Sequence, residues 1–171
     1  MEENVSLISL LHNAYRLADA ADATLRRRIQ EREGFPTFRH ADELHLAETQ
    51  NHKALLAQCL ARYGETPERP STDQASATSF PAGMLWHGAN ESLVEALQQD
   101  YLTEQAQIIT CHALIEAAAL IGDSQTLMAC ETILRDENRR AHQISNNLPI
   151  ALAVQFSEMT YRGGKSSTLS R

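Results

Sequence analysis

The sequence has few of the residues that build sheets or membrane spans. Aromatic residues make up 5% of the 171 residues, and there are 3 Val against 24 Ala and 21 Leu. Because Val favours strands whereas Ala and Leu favour helices, this composition excludes an all-β fold. No apolar run approaches the roughly 18 residues that a transmembrane helix needs. With a mean hydropathy of -0.36, we expect one helical domain outside the membrane.

Positive charge and paired cysteines are also scarce. The net charge of -7 disfavours a nucleic-acid partner, because binding phosphates requires a basic face. Three cysteines without paired spacing predict neither a disulfide framework nor a CxxC metal site: Cys59, Cys111 and Cys130. The start, MEENVSLISL, has acids where a secretory signal carries positive charge. We therefore expect a cytoplasmic protein that binds neither nucleic acid nor membranes.

Four long stretches contain neither glycine nor proline, and each is a helix candidate: residues 1–33, 37–63, 89–121 and 123–148. Gly34 and Pro36 are placed to end the first helix and begin the second, which predicts a tight antiparallel turn. Ser92 and Glu95 have the spacing of a capping box at the start of the third helix. Gly122 is placed to end it.

The remaining segments complete the predicted connectivity. Residues 64–90 are rich in Pro, Ser, Thr and Ala without periodicity, and we expect a long crossover whose apolar segment Phe80–Trp86 packs over one end of the bundle. After the last proline, Ile150–Tyr161 is predicted to form a short fifth helix, and residues 162–171 a polar, disordered tail. One long connection between two tight turns is typical of ferritin-like bundles. The sequence thus predicts one all-α, up-down four-helix domain over residues 1–161.

One acid interrupts the apolar stripe of each predicted helix: Asp22, Glu48, Glu104 and Glu137. Each lies 12 to 18 residues from the adjoining tight turn, so at about 1.5 Å per residue the four reach similar heights. An ionised carboxylate buried there without a partner costs several kcal/mol. Such a layer therefore requires protons, basic partners or metal ions.

Ferritin-like bundles use a metal pair, held by Glu residues and two Glu-x-x-His motifs. Here neither such motif is present, but His45 and His52 lie on the same helix face as Glu48 and offer nitrogen ligands. The candidate ligands are Asp22, Glu48, His52, Glu104 and Glu137. The alternative is that the acids are exposed or paired with arginine, and that the histidines are polar residues of the helix interface.

Several patterns resemble the YciE/YciF-type ferritin-like family of small, stress-associated bacterial proteins. These are HLAET at His45–Thr49, Glu104–Asp123 ending ALIEAAALIGD, and CETILRDENRRAHQISNNLP at Cys130–Pro149. The resemblance implies a ferritin-like bundle, a homodimer and carboxylates for a two-metal site, with Glu48, Glu104 and Glu137 matching acids of the family.

Two family positions differ in this chain. The Glu of the first helix falls on Ala18, with Asp22 one turn later, and the second Glu of the third helix is Gln107. Two functions therefore remain open. One is a stress-related protein that binds one or two iron or manganese ions and, if redox-active, supports oxygen or peroxide chemistry. The other is a metal-free structural or interaction module. No catalytic residue is assigned.

Overall fold

The computed structural model describes residues 2–67 and 92–166, with side chains over 5–67 and 92–157. These residues form four helices and no strand: α1 Glu2–Glu31, α2 Pro36–Arg62, α3 Leu93–Ile121 and α4 Ser124–Ser166. The predicted all-α, four-helix architecture is confirmed. Most of the predicted crossover, including Phe80–Trp86, lies outside the described residues, as do residues 167–171. None of the described helices is long and apolar enough to cross a membrane.

The helix ends follow the signals in the sequence. Pro36 occupies the first turn of α2, where its missing N–H costs nothing. The capping box of α3 is formed, because Glu95 N donates to Ser92 Oγ at 3.2 Å while Glu95 accepts from Ser92 N at 2.8 Å. Gly122 ends α3 with a φ of 76°, in the left-handed region that favours glycine. Pro36 and Gly122 therefore act as predicted, whereas α1 already ends at Glu31 and Gly34 does not adopt the positive φ of a C-cap glycine.

The fourth helix corrects two predictions. It continues through Pro149 to Ser166, so no separate fifth helix begins at Ile150 and residues 162–166 are helical rather than tail. Proline removes one backbone hydrogen bond from a helix interior. Here Ala151, beyond the proline, is fully buried in an apolar cluster with Phe38 and Leu97. Packing against α2 and α3 therefore offsets the local preference for a break.

The bundle interior is apolar at both ends and polar between them. The larger apolar cluster includes Leu11, Leu60 and Leu114 together with the three cysteines, which are free thiols of the core. The smaller cluster surrounds Phe38 at the other end. Between them the described helices bury ionisable side chains: Asp22, Arg28, Arg32, Asp42, His45, His52, Asp100, Glu104, Glu137 and Arg140. This middle zone contains the candidate site.

Candidate metal centre

Three buried side chains from three helices converge in the middle zone. They are His45 of α2, Glu104 of α3 and Glu137 of α4, and one ligand atom of each lies within 4.8 Å of the other two. Glu104 is 0% exposed and Glu137 1% exposed. Two carboxylic acids this close in a dry interior cannot both remain charged without a compensating positive charge.

Glu104 is the least satisfied member of the group. His45 Nε2 lies 3.1 Å from Glu104 Oε1, but their alignment does not make a hydrogen bond. Within the described part of the chain, neither carboxyl oxygen of Glu104 has a hydrogen-bond partner. Burial, together with the neighbouring Glu137 and Glu48 carboxylates, raises the pKa of Glu104 well above its usual range. A proton shared with Glu137, or a cation, would satisfy this carboxyl group.

Glu137 has a basic partner in His52. The His52 Nδ1 atom lies 3.0 Å from Glu137 Oε1, and its Nε2 atom lies 3.2 Å from Asp136 Oδ2. Although burial opposes protonation of His52, its hydrogen bonds to the two acids raise its pKa. Burial also opposes ionisation of Glu137, but the neighbouring carboxyl group of Glu104 and the hydrogen bond from His52 hold its pKa below the usual value. His52 therefore carries the positive charge that stabilises an ionised Glu137.

The other two predicted ligands lie apart from this group. Glu48 is part-exposed and accepts a 3.0 Å hydrogen bond from Arg139 Nη2, although burial still raises its pKa. Asp22 is buried but pairs with Arg26, whose Nε lies 2.6 Å from Oδ2, and with Lys53, whose Nζ lies 3.8 Å from Oδ1. The structure thus joins Glu104 and Glu137 with His45. Glu48 lies at the edge of this group, and Asp22 pairs with basic side chains instead.

The two positions that differ from the resembled family lie together. Ala18 and Gln107 line a cavity of about 10 Å³ with His52, which is about the space of one water molecule. A methyl group and a neutral amide supply no anionic ligand on this side. The departures noted in the sequence therefore affect one half of the polar layer, next to His52. The half next to His45 retains its carboxylates.

The converging atoms suit a transition-metal ion in chemical type. One imidazole nitrogen and two carboxylates form a mixed nitrogen and oxygen donor set, which suits iron and manganese. Both His45 Nε2 and the Glu104 oxygens are buried without hydrogen-bond partners among the described residues, as expected of atoms placed for an ion. The sequence offered His45 as a nitrogen donor, but the predicted ligand set contained His52 instead. It did not predict Asp136 as a partner of His52, although the adjacent acid pair Asp136-Glu137 was visible.

Comparisons with known proteins agree with this architecture. Residues 4–156 match the family described as "Domain of unknown function (DUF892)". A protein from Xanthomonas campestris has a TM-score of 0.77 at 20% identity, covering 94% of this chain and 99% of that chain. A ferritin-like, diiron-carboxylate protein from Bacillus anthracis has a TM-score of 0.72 at 18% identity, covering 86% and 99%. A Chlorobium tepidum ferritin has a TM-score of 0.68 at 13% identity, covering 97% and 98%.

Proposed function

The chain belongs to the DUF892 family, a ferritin-like family of the YciF type, and from that premise we propose that it binds one iron or manganese ion through His45, Glu104 and Glu137. One observation carries the proposal: three ligand atoms lie within 4.8 Å of one another, in residues that are at most 5% exposed. The name of the Bacillus anthracis relative as a diiron-carboxylate protein supports a metal of this type.

The surrounding side chains prepare the site for a cation. His52 donates to Glu137 Oε1 and keeps that carboxylate ionised, which leaves the other Glu137 oxygen available to an ion. Glu104 would lose its proton on binding, so we expect affinity to rise with pH. A cavity of about 80 Å³ lined by His45 and Glu104 gives room for an ion and water molecules beside these side chains. A bound iron or manganese ion would supply redox chemistry toward oxygen or peroxide.

The cavity beside His52 supports one ion per chain rather than two. A second ion there would require anionic ligands, but Ala18 and Gln107 are neutral. His52 is already engaged by Asp136 and Glu137. The site we propose is therefore half of a two-metal carboxylate layer.

A metal-free structural module is the second candidate, and the basic partners favour it. His52, Arg139 and Arg26 already pair with Glu137, Glu48 and Asp22, respectively. In that case Glu104 stays protonated and no ion is needed. The two candidates differ in one measurable respect, the metal content of the purified protein.

Metal analysis after growth with added iron and manganese tests the proposal. We expect about one ion per chain, lost in Glu104→Gln because the amide is a poor ligand for either metal. Glu116→Gln, an exposed position on the same helix, is the matched control and keeps the metal. A content below about 0.2 ion per chain in both the wild type and the control would instead support the metal-free module.

We further propose that the protein acts in the cytoplasm in a stress response, as a homodimer. A groove of about 480 Å³ between α3 and α4 supports dimerisation, because apolar side chains dominate its lining: Leu97, Tyr101, Leu102, Ile144 and Leu148. Leu152, one turn further along α4, is 37% exposed and extends this surface. Light scattering at micromolar concentration should give the mass of two chains, and Leu102→Asp should give one. A monomeric wild type would refute the dimer.

A further inference from the structure

A second ionic cluster lies beside the candidate metal centre and is not used by it. All four helices contribute buried side chains to this arginine cluster, which consists of Arg28 of α1, Arg32 of the turn after α1, Asp42 of α2, Asp100 of α3 and Arg140 of α4. Arg28 is 1% exposed and Arg140 8% exposed. Guanidinium groups remain charged in protein interiors, so each requires nearby negative charge.

Within the described part of the chain, Arg140 is the arginine of this cluster without a carboxylate in contact. Arg32 Nη1 donates to both oxygens of Asp42, at 2.8 and 2.7 Å, and Arg28 pairs with Asp100. Arg32 Nη2 lies 3.7 Å from Asp100 Oδ2, beyond hydrogen-bond distance. Arg140 donates to the backbone oxygen of Ala41 at 2.6 Å and to the neutral Gln143 at 3.3 Å. Among the described residues Asp42 pairs with Arg32, whereas no carboxylate contacts Arg140, so the positive charge of Arg140 is in excess.

A small cavity lies where this excess charge is concentrated. It has a volume of about 20 Å³ and is lined by Arg32, Asp42, Asp100 and Arg140 among others. Arg32 Nη2 and Arg140 Nε are buried and have no hydrogen-bond partner among residues 5–67 and 92–157. Two unsatisfied cationic donors on one cavity indicate a missing acceptor.

We propose that this cavity binds a small monovalent anion of chloride size, which accepts hydrogen bonds from Arg32 and Arg140. The cavity holds about one water-sized particle, so a polyatomic oxyanion is too large. A water molecule would fit, but it would leave the excess charge in place. Burial lowers the pKa of Arg140 to about 10, against the effect of Asp42, and repulsion from Arg32 adds to this shift. An anion between the two guanidinium groups relieves this repulsion.

Bromide provides a direct test, because it replaces chloride and scatters anomalously. Crystals of the full chain grown with sodium bromide should show an anomalous peak in contact with Arg32 and Arg140. The proposal is overturned if the cavity holds water, or if bromide is found only at exposed positions. Neither outcome bears on the metal proposal, since the crystals are prepared with a chelator.

Thermal melting gives an independent test in solution. At constant ionic strength, replacing gluconate by chloride should raise the Tm until the site is saturated. When the chloride concentration is ten times the Kd, we expect an increase of about 3–6 °C. Equal Tm values in the two salts would contradict anion binding.

Two variants connect the Tm response to this cavity. Arg140→Gln removes one charge and one donor, whereas Ala41→Leu fills the cavity and keeps every charge; both should abolish the chloride response. Arg135→Gln, an exposed arginine on the same helix, makes the same charge change and should retain it. If Arg140→Gln does not fold, the chloride response of the Tm in Ala41→Leu still tests the proposal. An unaltered chloride response in Ala41→Leu would assign the effect to another part of the protein.

Discussion

The Nδ1 atom of His52 lies 3.0 Å from Oε1 of Glu137, so a base from α2 and an acid from α4 form an ion pair inside the bundle. The opposite ring nitrogen contacts Asp136. This pairing neutralises one side of the carboxylate layer without a metal. On the other side Glu104 faces His45 without a hydrogen bond, and the proposed function depends on that difference.

Removing His52 should expose the cost of burying Glu137. In His52→Leu, the Glu137 carboxylate loses its cation, and we expect the free energy of unfolding to fall by about 3–5 kcal/mol. Urea denaturation measures this change after any bound metal has been removed with a chelator. His112→Leu, at an exposed position of α3, should change stability far less. Equal effects in the two variants would show that the ion pair contributes nothing.

Glu104→Gln should have little effect on the metal-free protein near neutral pH. Because the raised pKa keeps Glu104 protonated, a neutral amide replaces a neutral acid, and we expect a change below about 1 kcal/mol. The folded-state pKa is above the unfolded one, so wild-type stability falls as pH rises from the unfolded pKa through the folded pKa. The variant lacks this decline. Urea denaturation across that pH range tests the difference, and parallel curves would contradict a protonated Glu104.

Restoring the two family carboxylates should add a second ion. In the double variant Ala18→Glu/Gln107→Glu, both new acids lie beside His52, and we expect the iron or manganese content to rise from about one to about two per chain. Plasma emission spectrometry of the purified variant measures this. Ala23→Glu/Gln105→Glu, at exposed positions of the same helices, is the matched control. If the metal content of the first variant is unchanged, the neutral residues at positions 18 and 107 are not what prevents binding of a second ion.

Asp123 should contribute stability that is lost in acid. It accepts from Thr126 N at 3.1 Å at the start of α4, from Tyr63 Oη at 2.5 Å, and from Arg62. Burial opposes ionisation, but these hydrogen bonds hold the pKa of Asp123 well below its usual range. Its stabilisation is therefore complete above the unfolded pKa near 3.9 and is lost as pH falls through the folded value.

Asp123→Asn should reduce the free energy of unfolding at pH 7 by about 1–3 kcal/mol, because the amide can still cap the helix but loses the ion pair with the part-exposed Arg62 and the stronger hydrogen bonds that a charged acceptor makes. Guanidinium denaturation at pH 7 and pH 3 should show the difference from wild type shrinking in acid. Glu131→Gln, exposed on α4, should show neither effect. If the difference in stability does not change with pH, the charge of Asp123 does not contribute to stability.

Pro149→Ala should stabilise the protein. The proline lies inside α4 at an exposed position, and alanine restores one backbone hydrogen bond, which we expect to add about 1–3 kcal/mol. Urea denaturation measures the gain, and Ala153→Gly, on the next turn, should lower stability. A loss of stability in Pro149→Ala would indicate that the proline ring itself is needed for packing.

The sequence alone predicted the elements whose signals are local. Pro36, Ser92 with Glu95, and Gly122 each act through their own backbone conformation or a neighbour within one turn, so these helix ends were visible without tertiary structure. The repeating apolar positions likewise indicated which faces of the four helices turn inward. That periodicity also placed Glu104 and Glu137 in the interior.

Tertiary packing decided what local signals do not determine. Pro149 favours a helix end, but the burial of Ala151 between α2 and α3 keeps α4 continuous. Helical spacing gives the height of an acid but not the partners that other helices supply. Asp22 joins Lys53 of α2 in addition to Arg26 of its own helix, Glu137 joins His52, and Glu104 faces His45. The interior positions of Glu104 and Glu137 follow from the sequence, whereas the pairing of each acid depends on how the helices pack.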